Sequence, residues 1–242
     1  MASAWARRRQ LAEAKTANKD TRRPVVYLRP FGREAELFSE NVCWGDAPGL
    51  RRWIQMHISF HPEDVFLTFE RFVEVPVERR IGPFSALGNP TDYLPPEGAQ
   101  RTYAGEDWQD KVRRLIDQAS CILTVPSRVS ESDALAFEFS YMLQTQATDR
   151  LFVATSPYGS TRRAPSLLRI GNRLLGNYPI HWRRFAADLN DLGYMVPIDT
   201  PAPGTVLGFD AHGRAIEVTK GARTATDYIA PIAEILLSPS VS

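Results

Sequence analysis

Only two cysteines, Cys43 and Cys121, occur in 242 residues, far apart and in neither a metal-binding nor a redox spacing. That excludes a disulfide framework and a thiolate metal centre, and it points to a reducing, cytoplasmic compartment. Long apolar runs are missing too: no stretch reaches the ~18 residues that a membrane-spanning helix needs. The opening MASAWARRRQLAEAK places charges without an apolar segment behind them, which is not the pattern of a secretory signal. The phosphate-cradling pattern Gly-x-x-x-x-Gly-Lys-Ser/Thr is absent, which excludes a P-loop NTPase. Neither a Gly-x-Gly-x-x-Gly fingerprint nor a Gly-x-Ser-x-Gly elbow is present, which argues against a dinucleotide dehydrogenase and a serine hydrolase. His57 and His61 stand four apart, but Pro62 follows at once and no third histidine is near. No metal site is expected. There is no internal repeat and no low-complexity tract.

What is present is an ordinary globular composition, 43% apolar and 24% charged, sufficient for a substantial core. The net charge of +1 is unevenly spread: residues 1–23 hold seven Lys/Arg against Glu13 and Asp20, and the rest holds 22 basic against 26 acidic side chains. We read 1–23 as a basic, partly helical arm and 24–242 as a single α/β domain with an extension from about residue 200. Such an arm can touch an anionic membrane or the acidic face of another copy, or can simply be solvated. With Trp5 its only aromatic, and no basic-aromatic alternation in the body, nucleic-acid binding is not expected.

Along the body, apolar runs alternate with helical patterns. PVVYLRPF reads as a buried strand, and LRRWIQMHISF and EDVFLTFERFV read as helices. IGPFSALG reads as a second strand, followed by a long loop, NPTDYLPPEGAQR. In GEDWQDKVRRLIDQAS, acidic residues fill the first turn, and Trp108, Val112, Leu115, Ile116 and Ala119 make an apolar stripe. CILTV is a compact strand, DALAFEFSYMLQTQ a helix, and RLFVATS another strand. SLLRIGNRLL and WRRFAADLNDLG look helical, with YMVPID a last strand. Nearly all-apolar strands alternating with helices predict a doubly wound parallel sheet, covered on both faces. The run GTVLGFDAHGRAIEVTKG predicts an appended β-hairpin turning at His212-Gly213, and TDYIAPIAEILL a closing helix, with Pro231 near its first turn, packing Ile229, Ile232 and Leu236 on the sheet.

Ligands of such sheets bind beyond the C-terminal strand ends, where strand order reverses. Three segments converge there. Arg29-Pro30-Phe31 follows the first strand. Arg29 suits phosphate or carboxylate, or pairs with Glu34 or Glu138. Phe31 and Trp108 are either stacking faces or core. Gly88, ending the second strand, either permits close backbone approach or only turns the chain. The third segment leads into the helix of Glu138, with Asp133 near its N-cap. Glu138 is a carboxylate among Leu135, Phe137, Phe139, Tyr141 and Met142. An ionised carboxylate in such surroundings is either rescued by a partner or kept for chemistry.

YLRPF, the block from GPFSALGNP through LPPEGA to DWQDKV, and a helix carrying AFEF together resemble bacterial Toll/interleukin-1-receptor (TIR)-like domains, over roughly residues 24–145. The resemblance implies a flavodoxin-like fold and, in its catalytic members, cleavage of the nicotinamide–ribose bond of NAD by a glutamate at the position of Glu138. It further implies assembly into homo-oligomers when active, and a role in bacterial signalling or antiviral defence. NAD would be substrate, not cofactor, and no other cofactor is implied. Arg29 would meet the pyrophosphate, Phe31 and Trp108 the base or pocket wall, and the Gly88 loop the ligand. The Glu138 helix is also similar to that of nucleoside 2-deoxyribosyltransferases, with Asp133, Ala136, Glu138 and Tyr141 approximating their pattern, but the glycines of that pattern are replaced. A non-catalytic scaffold that binds a nucleotide or self-associates is the alternative implication.

Overall fold

The computed structural model describes residues 20–28, 37–38, 67–88, 100–103, 108–157 and 182–238. Val25–Tyr27 form β1, Leu37–Phe38 β2 and Leu67–Thr68 β3. Phe69–Arg80 form α1, ahead of β4 (Phe84–Gly88) and β5 (Gln100–Tyr103). Next come α2 (Trp108–Gln118), β6 (Cys121–Thr124), a 3-10 turn (Val129–Glu131) and α3 (Asp133–Gln144). A second 3-10 turn (Ala147–Arg150) leads into β7 (Leu151–Ala154). α4 (Trp182–Asp191), β8 (Val206–Phe209), β9 (Ala215–Thr219) and α5 (Ala225–Leu237) follow.

The main sheet runs β5-β4-β1-β6-β7-β8-β9, and β2 pairs with β3 separately. Pairing is parallel from β5 through β7 and antiparallel for β8 and β9. The central order β4-β1-β6-β7 is that of a doubly wound, flavodoxin-like sheet, and the C-terminal hairpin and helix are appended to it as the sequence predicts.

Alternation along the buried strands sorts their side chains between two apolar layers. Val26, Leu28, Ile122, Leu151 and Val153 face one core with Val112 and Ile116 of α2, Leu135, Phe139 and Met142 of α3, and Phe185 and Leu189 of α4. Val25, Tyr27, Cys121, Leu123 and Phe152 face the other, with Phe72, Val73 and Val77 of α1 and Tyr228, Ile229 and Ile232 of α5. Two-sided burial is why these strands carry almost no polar side chains.

Helix ends are satisfied from a distance. α2 has no basic residue in its last turn. Arg150 donates instead to Ile116 O at 3.2 Å and Ala119 O at 2.7 Å, and Arg23 donates to Asp117 O and Gln118 O, both at 2.9 Å. α5 opens with a capping box between Thr224 and Asp227. Inside the sheet-facing layer, the Tyr228 hydroxyl donates to Thr155 O at 2.7 Å. Tyr228→Phe strands that buried carbonyl, so a loss of about 1–2 kcal/mol is expected. For a chain this long that is a fall of roughly 2–8 °C in the thermal midpoint by calorimetry; an unchanged midpoint would refute it.

Four expectations are corrected. Gln100 and Arg101, read as the end of the long loop, belong with Thr102 and Tyr103 to an edge strand parallel to β4. YMVPID is not a strand: Met195 makes an isolated bridge to Arg214. The Asn190 side chain takes both backbone groups of Val196, at 2.7 and 3.0 Å, in place of a ladder. The helix expected over EDVFLTFERFV begins only at Phe69, after β3, and continues through Pro76 to Arg80. Pro231 likewise lies inside α5, beyond its first turn. The helices expected in LRRWIQMHISF and SLLRIGNRLL, and nearly all of the basic arm, lie outside the described residues. Among the described residues, no helix is long and apolar enough to cross a membrane. At the hairpin tip Gly213 adopts φ +76°, and Asp210 Oδ1 accepts from the N–H groups of His212 and Arg214, both at 2.9 Å. That left-handed conformation is the one glycine reaches without cost.

Candidate functional site

The ends of β4, β1 and β6 lie at one sheet edge because their pairing is parallel and in step: Tyr27 stands opposite both Ala86 and Leu123. From β1 the chain moves to β4 on one side and later to β6 on the other, so the order reverses across β1. This is where a doubly wound sheet places its ligand. The buried Thr124 hydroxyl donates to Leu28 O at 3.1 Å and so ties the last residue of β6 to the residue that follows β1.

Beyond β6, Val125, Ser127 and Val129 are buried, and the chain enters the 3-10 turn. Salt bridges and hydrogen bonds hold that turn in place. Glu131 takes Arg128 at 2.9 Å and Arg184 of α4 at 2.7 Å, and hydrogen bonding from Arg128 holds its carboxyl below the usual range. Asp188 of α4 accepts from the backbone N–H of Ser130 at 3.0 Å and from its hydroxyl at 2.9 Å. Ser132 then caps α3, accepting from Leu135 N at 3.3 Å.

Glu138 sits in the second turn of α3. On the helical surface its neighbours are Ala134, Leu135, Tyr141 and Met142; Leu135 and Met142 are buried in the core, and Tyr141 reaches Asp117 of α2. It is 2% exposed, and its Oε2 has no hydrogen-bond partner among the described residues. Burial alone pushes its pKa up to about 8 from the ordinary 4.5. The helix dipole does little against this, since its effect is confined to the first turn. Burial thus favours the neutral acid over the carboxylate.

Trp108 opens α2 and meets Phe137 of α3 edge-on, with centroids 5.2 Å apart. Phe137 stacks on Tyr141 at 6.3 Å, and the Arg113 guanidinium lies 5.3 Å over the Phe137 ring. The Tyr141 hydroxyl donates to Asp117 at 3.0 Å. Trp108 is thus brought to the turn of α3 that carries Glu138. Asp133 is on the same helix but exposed at its first turn. Five residues separate it from Glu138, about 140° around the axis, so the two carboxylates do not share a face. Gly88 ends β4 opposite Tyr103 of β5. Arg29 and Phe31 lie outside the described residues, as do His57 and His61.

Sequence reading did not single out Ser127. Its Oγ is buried without a hydrogen-bond partner among the described residues, three residues beyond β6. Burial in apolar surroundings pushes the Cys121 thiol far up, so it is no nucleophile. Among the described residues, no cluster of His, Cys, Asp and Glu could hold a metal.

No protein-family model and no curated protein matches the chain. A crystal structure, that of the C-terminal domain of the coenzyme A biosynthesis bifunctional protein CoaBC, is similar at 11% identity over 88% of this chain and 97% of that one. Its TM-score of 0.33 is too low to carry an argument about fold detail or function.

Proposed function

We propose that this chain is a TIR-like NAD glycohydrolase in which Glu138 stabilises the breaking nicotinamide–ribose bond. The observation that supports it is a buried carboxyl, with Oε2 unpartnered among the described residues, in the second turn of the helix that follows β6, the strand beside the point where strand order reverses.

The chemistry is within reach of a single carboxylate. NAD carries a fixed positive charge on its pyridinium ring. As the C1′–N bond lengthens, its electron pair returns to the ring and neutralises it, and positive charge moves to the ribose as an oxocarbenium ion. A carboxylate beside the sugar stabilises that charge, most strongly where water is excluded. Water then adds at C1′ and loses a proton, giving ADP-ribose, free nicotinamide and one proton. Nicotinamide leaves neutral, so no general acid is needed for departure. Trp108 and Phe137 form an aromatic wall beside the Glu138 turn, and Arg29, Phe31 and the segment after Gly88 complete the reading as pyrophosphate, base and approach contacts.

The ionised form of Glu138 is the active one, and in the free protein it is the minor form at pH 7. The expected profile of kcat/KM therefore rises about tenfold per pH unit and levels off above about pH 8. The decisive measurement is nicotinamide release at high protein concentration, by wild type and by Glu138→Gln. A loss of at least about a hundredfold in the variant is expected. Full activity in the variant would end the assignment.

A further inference from the structure

We propose that Ser127 is the second polar anchor of the Glu138 site, its hydroxyl binding a sugar hydroxyl of the nucleotide. Two features of one strand–loop–helix unit lead there. Ser127 Oγ and Glu138 Oε2 stand eleven residues apart in the chain, on either side of the 3-10 turn, and both are buried without a hydrogen-bond partner among the described residues.

Folded proteins rarely leave such atoms unmet, because each costs the desolvation of the group with nothing in return. The neighbours show that this loop is not simply loose. Thr124, three residues earlier, satisfies its hydroxyl on Leu28 O at 3.1 Å, and Ser130, three residues later, bonds Asp188 at 2.9 Å. Ser132 caps α3. Ser127 is fully buried, as are Val125 and Val129, and its hydroxyl alone of these four makes no hydrogen bond among the described residues.

A hydroxyl can both donate and accept, which matches a sugar hydroxyl. A carboxylate in the same strand–loop–helix unit matches the positive charge that develops on the sugar ring. The pair therefore suits a cationic N-glycoside, with Glu138 reading charge and Ser127 reading the sugar. This rests on the glycohydrolase reading for the identity of the sugar, though not for the existence of the subsite.

The test separates a binding role from a structural one by sign. Ser127→Ala removes an unmet polar atom, so the thermal midpoint should stay level or rise. Binding should weaken about tenfold, as expected for one lost hydrogen bond. The probe is an NAD analogue with a methylene in place of the ring oxygen of the nicotinamide ribose, which binds without being cleaved, titrated calorimetrically. A lower midpoint for Ser127→Ala, affinity equal to that of wild type, or no binding of the analogue to wild type would each overturn the proposal. If wild type releases nicotinamide, Glu138→Gln does not, and Ser127→Ala binds normally, the subsite falls and the glycohydrolase reading stands. If the analogue binds and Ser127→Ala weakens it while no nicotinamide is released, the subsite stands and the glycohydrolase reading falls.

Discussion

Glu138→Gln is expected to gain stability over wild type as pH rises, reaching about 3 kcal/mol at pH 7. The carboxyl has a folded pKa of about 8 against an ordinary 4.5. Between those values the unfolded chain gives up its proton and the folded protein keeps it. Wild-type stability is therefore full below about pH 4.5 and falls by about 1.4 kcal/mol per unit up to about pH 8. Glutamine is neutral in both states and carries no such slope. Asp210 and Asp227 do not disturb this window: backbone N–H donors hold both below the usual range, so what they contribute is lost only as pH falls through more acidic values. Urea denaturation of both proteins from pH 4.5 to 8 is the measurement. A wild-type stability flat across that range would contradict the buried neutral acid. The gain would accompany loss of activity, the trade expected of a group kept for chemistry at the expense of stability.

The adjacent residue should respond with the opposite sign. Phe139→Ala is expected to cost about 3–5 kcal/mol, roughly 6–20 °C in the thermal midpoint. Phe139 is fully buried, with Tyr194 edge-on at 5.8 Å and Phe185 at 6.4 Å. Its carbonyl also accepts the Tyr194 hydroxyl at 2.9 Å, which holds α3 against the segment after α4. Truncation leaves a cavity framed by rings that cannot collapse into it. A loss below about 1 kcal/mol would mean that this core repacks freely. Two neighbours on one turn, one improved by substitution and one ruined, would separate the site from the scaffold.

The sheet was legible where burial is two-sided. VVY, CILT and LFVA have little but apolar side chains, and all three form parallel strands at the centre. QRTY was not legible, because an edge strand is held by main-chain pairing to β4, and its polar side chains carry no apolar signal. VPI misled for the converse reason: it is apolar enough for a strand, but the Asn190 amide occupies the backbone groups that a ladder would need. Pro76 and Pro231 look like helix breakers, yet α1 and α5 run through both, held by Phe72, Val73, Val77, Ile229 and Ile232 in a shared core. Within the site, Glu138 stood out because a carboxylate interrupts an apolar helical face. Ser127 did not, since a serine after proline reads as an ordinary turn; only its burial without a partner marks it.

The hairpin that closes the sheet ends it in a border unsuited to further growth. Pairing slips between Val206 and Leu207, and the outer strand carries Glu217, with Lys220 just beyond it at 3.6 Å. A kinked, charged margin does not present the flat row of free amides that templates a neighbouring chain. Crowded copies should thus resist zipping together into fibrils along this rim, even though β9 leaves one side of its backbone unpaired within the sheet.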